Sequence, residues 1–109
     1  MKLIVAIIQD EDSQKLVERL TEENISSTKL PSSGGFLREG NTTLLIGIEK
    51  EKIDGVIEII RQECKSRTKV TATPMTTSWV SSVYIPQAIE VPVGGATIFV
   101  VDVEQFTKL

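Results

Sequence analysis

Leu3-Ile4-Val5-Ala6-Ile7-Ile8 is the stretch that decides the fold. Six apolar residues in a row, most of them β-branched, read as a strand buried on both faces. The run is far shorter than the roughly 20 residues a membrane helix needs, and too short for the apolar region of a signal peptide. No membrane insertion is expected. Gln9-Asp10-Glu11-Asp12-Ser13 comes next, acidic and rich in residues that cap helix N-termini, so a helix is predicted to start here. Leu16, Val17 and Leu20 give it one apolar stripe. Asn24 is suited to end it, because Asn tolerates the left-handed conformation found there.

Working outward, Ile25 to Leu30 reads as a weaker strand and 31–41 as turn material around an apolar pair, Phe36-Leu37. Thr42 to Ile48 is a strand with Leu44, Ile46 and Ile48 on one face. Residues 50–64 carry Ile53, Val56, Ile57, Ile60 and Cys64 at helical spacing. From Ser66 to Ser82, nine of seventeen residues are Ser or Thr, without helical periodicity, which predicts a long loop. Ile89 to Val93 alternates as a strand, Gly94-Gly95 turns the chain, and Thr97 to Val103 is the final strand. No repeat or linker interrupts residues 1–109. The expectation is one α+β domain, a ferredoxin-like βαββαβ sandwich, with a short loop at about 31–41 and a long one at about 65–84.

That architecture leaves a sheet face uncovered. The first strand is apolar at every position, and Ile98 to Val101 are apolar on both faces, yet two helices cover only one side. An apolar patch of several hundred Å² is uncommon on a soluble monomer, which predicts an obligate oligomer packed through the helix-free face. The other solution is that the long loop folds back over it as a lid.

The 109 residues, 40% of them hydrophobic, carry a net charge of −3, which gives no basic field for a nucleic acid polymer. The chain has no histidine and one cysteine. That removes Ser-His-Asp and Cys-His catalysis, histidine-ligated zinc and any intramolecular disulfide. No pair of carboxylates has a spacing that signals acid–base work. A cytoplasmic protein with a reduced thiol is expected, and little in it suggests an enzyme.

Gly34-Gly35 with Arg38 is the first candidate site, since consecutive glycines let backbone N–H groups approach an anion that Arg38 can pair with. A plain hairpin turn is the other reading, against which stand Phe36 and Leu37, two apolar side chains suited to covering a base. Asn24, Ser26, Thr28 and Asn41 are short polar groups fit for a purine edge or a ribose, although capping, strand exposure and turn geometry account for each singly. Asp10, Glu11 and Asp12 fit a helix N-terminus better than a metal site. Cys64 falls on an apolar stripe as a small hydrophobe. Trp79 and Tyr84 are candidate partner contacts or anchors of the long loop.

Taken together, Met1 to Asp10, Asp12-Ser13, Thr28-Lys29-Leu30, Gly34-Gly35-Phe36-Leu37-Arg38, Gly40-Asn41-Thr42-Thr43, Tyr84-Ile85-Pro86 and Val93-Gly94-Gly95-Ala96-Thr97 resemble the cyclic-di-AMP receptors of the PII-like superfamily. The resemblance runs in register along nearly the whole chain. It implies a homotrimer whose sheets pack inside, with cyclic di-AMP in three clefts between subunits. On it, Thr28 and Asn41 would bond the nucleotide with Asn24 beside them, Phe36 and Leu37 would cover an adenine, and Gly35 and Gly47 would let backbone and ligand approach. Where the family often carries arginine in the second strand, this chain has Ser26. Loss of that cationic donor would weaken binding by roughly 1.5–3 kcal/mol where the contact is desolvated, unless Arg38 or Lys29 compensates.

The functional expectation is a non-enzymatic receptor, without cofactor or metal, that acts on a downstream protein target through loop order. Two alternatives stand beside it: a PII-like trimer for another adenine nucleotide, and a constitutive interaction module working through the long loop.

Overall fold

The computed structural model describes residues 1–32, 40–75 and 85–109. The chain runs β1 (Lys2–Gln9), α1 (Asp10–Glu22), β2 (Thr28–Ser32), β3 (Asn41–Ile48), a 3-10 turn (Lys50–Lys52), α2 (Ile53–Glu63), β4 (Arg67–Met75), β5 (Ile85–Val93) and β6 (Ala96–Asp102). β2, β3, β1 and β6 form, in that order, one antiparallel sheet. This is the expected βαββαβ order, with a β-hairpin inserted before the last strand.

Alternate residues of the sheet feed the core. Ile4, Ala6 and Ile8 of β1 and Leu44, Ile46 and Ile48 of β3 pack under Leu16 and Leu20 of α1 and Val56, Ile60 and Cys64 of α2. Arg19 ties the helices together, donating to Glu63 at 2.9 Å and to Gln62 at 3.0 Å. α1 ends as its sequence predicts: Asn24 takes φ 60°, its N–H donates to Thr21 at 3.0 Å, and the Ile25 N–H donates to Leu20 at 2.9 Å. This is a Schellman motif, which satisfies two of the last carbonyls of the helix.

Two expectations need correction. The second strand lies at Thr28–Ser32 rather than at 25–30, with Pro31 inside it. Proline is admissible because β2 is an edge strand, with no neighbour beyond it among the described residues. The long loop expected at about 65–84 contains β4, which pairs with β5 over nine residues from Arg67↔Val93 to Met75↔Ile85. Thr and Val favour extended backbone, and a two-stranded ribbon has no core to face, so apolar alternation is absent although the strand is present. Val70 is accordingly exposed. The pair forms an arm, about 30 Å long at the usual rise per residue.

The remaining face of the sheet carries no helix. The register places Leu3, Val5 and Ile7 of β1 beside Leu45 and Gly47 of β3, Phe99 and Val101 of β6, and Thr28 and Leu30 of β2. Phe99 and Val101 are each 47% exposed and Leu30 is 42% exposed. The apolar face inferred from the sequence is therefore real. Among the described residues no helix is long and apolar enough to cross a membrane.

Candidate functional site

Three of the candidate residues lie on the helix-free face. Thr28 pairs with Leu45, Asn41 pairs with both Gln9 and Ser32, and Gly47 pairs with Leu3. Extending the β2–β3 register by two residues sets Ser26 opposite Gly47. The Schellman turn at Asn24 then aims the connection toward that same end, where Thr21, Asn24, Ile25 and Ser26 line a shallow cavity of about 250 Å³. Asn24, Ser26 and Thr28 are all exposed, whereas Asn41 is 3% exposed. Gly35, Phe36, Leu37 and Arg38, like Trp79 and Tyr84, lie outside the described residues.

The candidates thus divide between two ends of one face. Leu45, the partner of Thr28, is four residues from Asn41 along β3, and Gly47 is six, which amounts to about 14 and 20 Å. A side chain reaches only a few ångström. A single small ligand would not touch both ends within one chain unless it were itself of that length.

Gly47 is informative for what it lacks. Among the described residues, a Cβ placed there would meet only the Met1 sulfur, at 4.0 Å, an ordinary contact. Packing among these residues therefore does not require glycine at this position, and glycine inside a strand is unfavourable by about 0.5–1 kcal/mol.

At the other end, Asn41 is framed by groups that sequence reading did not single out for the site. The Asp10 N–H donates to the Gly40 carbonyl at 2.9 Å, and the Thr42 hydroxyl donates to Asp10 Oδ1 at 2.5 Å. A Cβ on Gly40 would collide with the Asp10 carboxylate, so the glycine permits this close approach. Gln9, 2% exposed, accepts a hydrogen bond from the Gly94 N–H through Oε1.

Glu11 and Asp12, read from the sequence as helix-terminal acids, hold the base of the arm. Arg67 donates to Asp12 Oδ1 at 2.9 Å and Oδ2 at 3.5 Å, to Glu11 at 2.9 Å, and to the Lys65 carbonyl at 2.9 Å. Lys69 lies 3.6 Å from Glu11. The hydrogen bond to Asp12 raises the Arg67 pKa further above its ordinary value. Burial, followed by the nearby Asp12 and Glu63 charges, pushes the Cys64 thiol up to about 12, so it is a buried hydrophobe and not a nucleophile. Among the described residues no group of acids and thiols is arranged to hold a metal ion.

Gln9, Asp10, Glu11, Gly40, Lys69 and Val91 line most of a cavity of about 330 Å³ between α1 and the arm. A larger one, about 470 Å³, lies between α2 and β6 and contains none of the candidate residues.

The family model for the cyclic-di-AMP receptor matches residues 1–109. The crystal structure of a functionally unknown protein from Pediococcus pentosaceus ATCC 25745 is similar, at 39% identity and a TM-score of 0.75, over 99% of this chain and 96% of that one.

Proposed function

The chain belongs to the cyclic-di-AMP receptor family, and from that premise we propose that it is a non-enzymatic receptor binding cyclic di-AMP in clefts between the subunits of a homotrimer. The observation that carries this reading is the helix-free face. Its apolar side chains, with Phe99 and Val101 nearly half exposed, ask for a second copy of the chain. Its polar candidates stand at opposite ends, and a cleft between two neighbours can draw Asn41 from one chain and the Thr28–Gly47 end from the other.

Cyclic di-AMP suits such a cleft. It is a flat, wide ligand with two adenines to stack and edges that accept and donate hydrogen bonds, and it carries two phosphodiester charges. Thr28, Asn24 and Asn41 supply neutral donors and acceptors, and Gly47 leaves room for the ring to lie against backbone. Phe36 and Leu37 cover an adenine, Gly35 gives the backbone close approach, and Arg38 or Lys29 answers the phosphates where Ser26 cannot. Holding the nucleotide intact requires no general base and no nucleophile. Because a ligand shifts an ensemble only by preferring one of its states, signalling to a downstream protein works through a change in the segments that flank the cleft.

Calorimetric titration with cyclic di-AMP, cyclic di-GMP, ATP and AMP tests the reading, together with light scattering for mass. The expected result is a trimer that takes up one cyclic di-AMP per chain and prefers it over the others. Heat with ATP and none with cyclic di-AMP would assign the cleft to another adenine nucleotide, and a monomer would remove the cleft altogether.

A further inference from the structure

Both strands of the arm are fastened to the segment that begins at Gln9, the cross-strand partner of Asn41. From β4, Arg67 grips Glu11 and Asp12, and Lys69 reaches Glu11. From the end of β5, the Gly94 N–H bonds to Gln9, the cross-strand partner of Asn41. The residue between these anchors is Asp10, which holds Gly40 through its N–H and Thr42 through its carboxylate. Gln9 to Asp12 is thus one short segment with the arm on one side and the Asn41 end of the site on the other. The 330 Å³ cavity lies between Lys69 and Val91 on the arm and Gly40 at the site. The connection runs through ion pairs and hydrogen bonds.

We propose that Arg67 is a positioning residue for the Asn41 end of the site, coupling the arm to the ligand through the first turn of α1. Without the guanidinium, Asp12 loses its cation and Glu11 is left with Lys69 at 3.6 Å. Glu11 and Asp12 then repel each other and Asp10, and the turn that fixes Gly40 and Thr42 loosens. By reciprocity, whatever factor Arg67 contributes to ligand affinity, the ligand contributes to holding the arm. The inference rests on the receptor reading for the identity of the ligand, and its structural half is measured without one.

Hydrogen exchange on the ligand-free protein is the test, comparing wild type with Arg67→Ala, Arg67→Lys and, as a control, Arg61→Ala. Arg61 pairs with Glu58 on the same helix and shares a cavity with Gly95, so this control is read at Gly94 and Asp10. The reporters are the amides of Gly94 and Gly95 at the arm and of Asp10 at the site. Arg67→Ala is expected to speed exchange at all three by about 5-fold or more, with Arg67→Lys between it and wild type and Arg61→Ala without effect. Acceleration confined to the arm, or none, overturns the proposal. In a parallel titration Arg67→Ala is expected to bind cyclic di-AMP about 5-fold more weakly, and unchanged affinity beside a wild type that binds also overturns it. A wild type that does not bind cyclic di-AMP sinks the receptor reading, and the exchange pattern still decides the coupling. Should Arg67→Ala fail to fold, Glu11→Gln, which weakens only the outer pairs, carries the same expectation in smaller measure.

Discussion

The Cβ that Gly47 lacks would come no nearer than 4.0 Å to the sulfur of Met1. A methyl group is thus compatible with the folded chain, and alanine in a strand is if anything more favourable than glycine. Gly47→Ala is expected to melt at the wild-type temperature or slightly above it, while losing about tenfold or more in cyclic di-AMP affinity, equivalent to about 1.4 kcal/mol. Calorimetry of unfolding and of binding on the same sample separates the two effects. Equal affinity would mean that the ligand does not approach this strand.

Ser26 falls opposite Gly47 when the β2–β3 register is extended, and its hydroxyl brings no charge to a phosphate. Ser26→Arg is expected to tighten binding by roughly 1.5–3 kcal/mol if the phosphate contact is desolvated, and the gain is expected to shrink at high salt. Titrations at low and high ionic strength measure both quantities. No gain at either would show that the cleft already meets the phosphate with other groups.

Phe99 and Val101 project from the face that bears no helix. If the proposed trimer packs through this face, placing a charge there, as in Phe99→Asp, is expected to give monomers that do not bind cyclic di-AMP. The helices lie on the other face, so far-ultraviolet circular dichroism should keep its helical signal. A variant that remains trimeric by light scattering would move the assembly surface elsewhere.

Cys64 has a pKa of about 12 in the folded chain against an ordinary 9.0. Above pH 9 the unfolded chain gives up its thiol proton first, so the folded chain binds more protons. The thiol's contribution is complete below about pH 9 and is lost as pH rises toward 12, at up to about 1.4 kcal/mol per pH unit. Denaturant unfolding at several alkaline pH values is therefore expected to give a wild-type advantage over Cys64→Ala that narrows as pH rises. A constant advantage would contradict the burial of the thiol.

Gly94 and Gly95 share a left-handed backbone, at φ 83° and 81°, but not the same surroundings. Among the described residues, a Cβ at Gly95 meets nothing within 4 Å, whereas one at Gly94 strikes the Lys65 carbonyl and lies 2.7 Å from Arg67. Gly95→Ala is expected to cost about 1–2 kcal/mol from conformation alone, and Gly94→Ala clearly more, with the base of the arm displaced. Denaturant midpoints rank the pair, and equal midpoints would show that the turn relaxes freely.

The parts of the fold legible in the sequence are those set by local spacing. Leu3 to Ile8 announces a strand in the middle of a sheet, Leu44, Ile46 and Ile48 a strand with one core face, and Asn24 a helix end, and each is found at its place. β4 was not legible, because Arg67, Lys69 and Val70 belong to a ribbon with no interior to impose alternation. Within the site, Thr28 and Gly47 could be named from family resemblance, but their separation from Asn41 depends on the register of β2 against β3. The union of Arg67 with Asp12, across 55 residues of chain, has no local trace at all. The acids looked like helix caps, and their partner lay in a stretch expected to be irregular.

The distance along β3 between Asn41 and the Thr28–Gly47 end bears on how such a receptor behaves at low abundance. If a complete cleft needs both ends from different chains, a lone subunit is deaf to the messenger, and dilution abolishes response as surely as removing the nucleotide does. Conversely, the nucleotide favours assembly by mass action. Sensitivity would then follow protein copy number as well as messenger level, so that the amount of protein a cell makes becomes part of the setting of the switch.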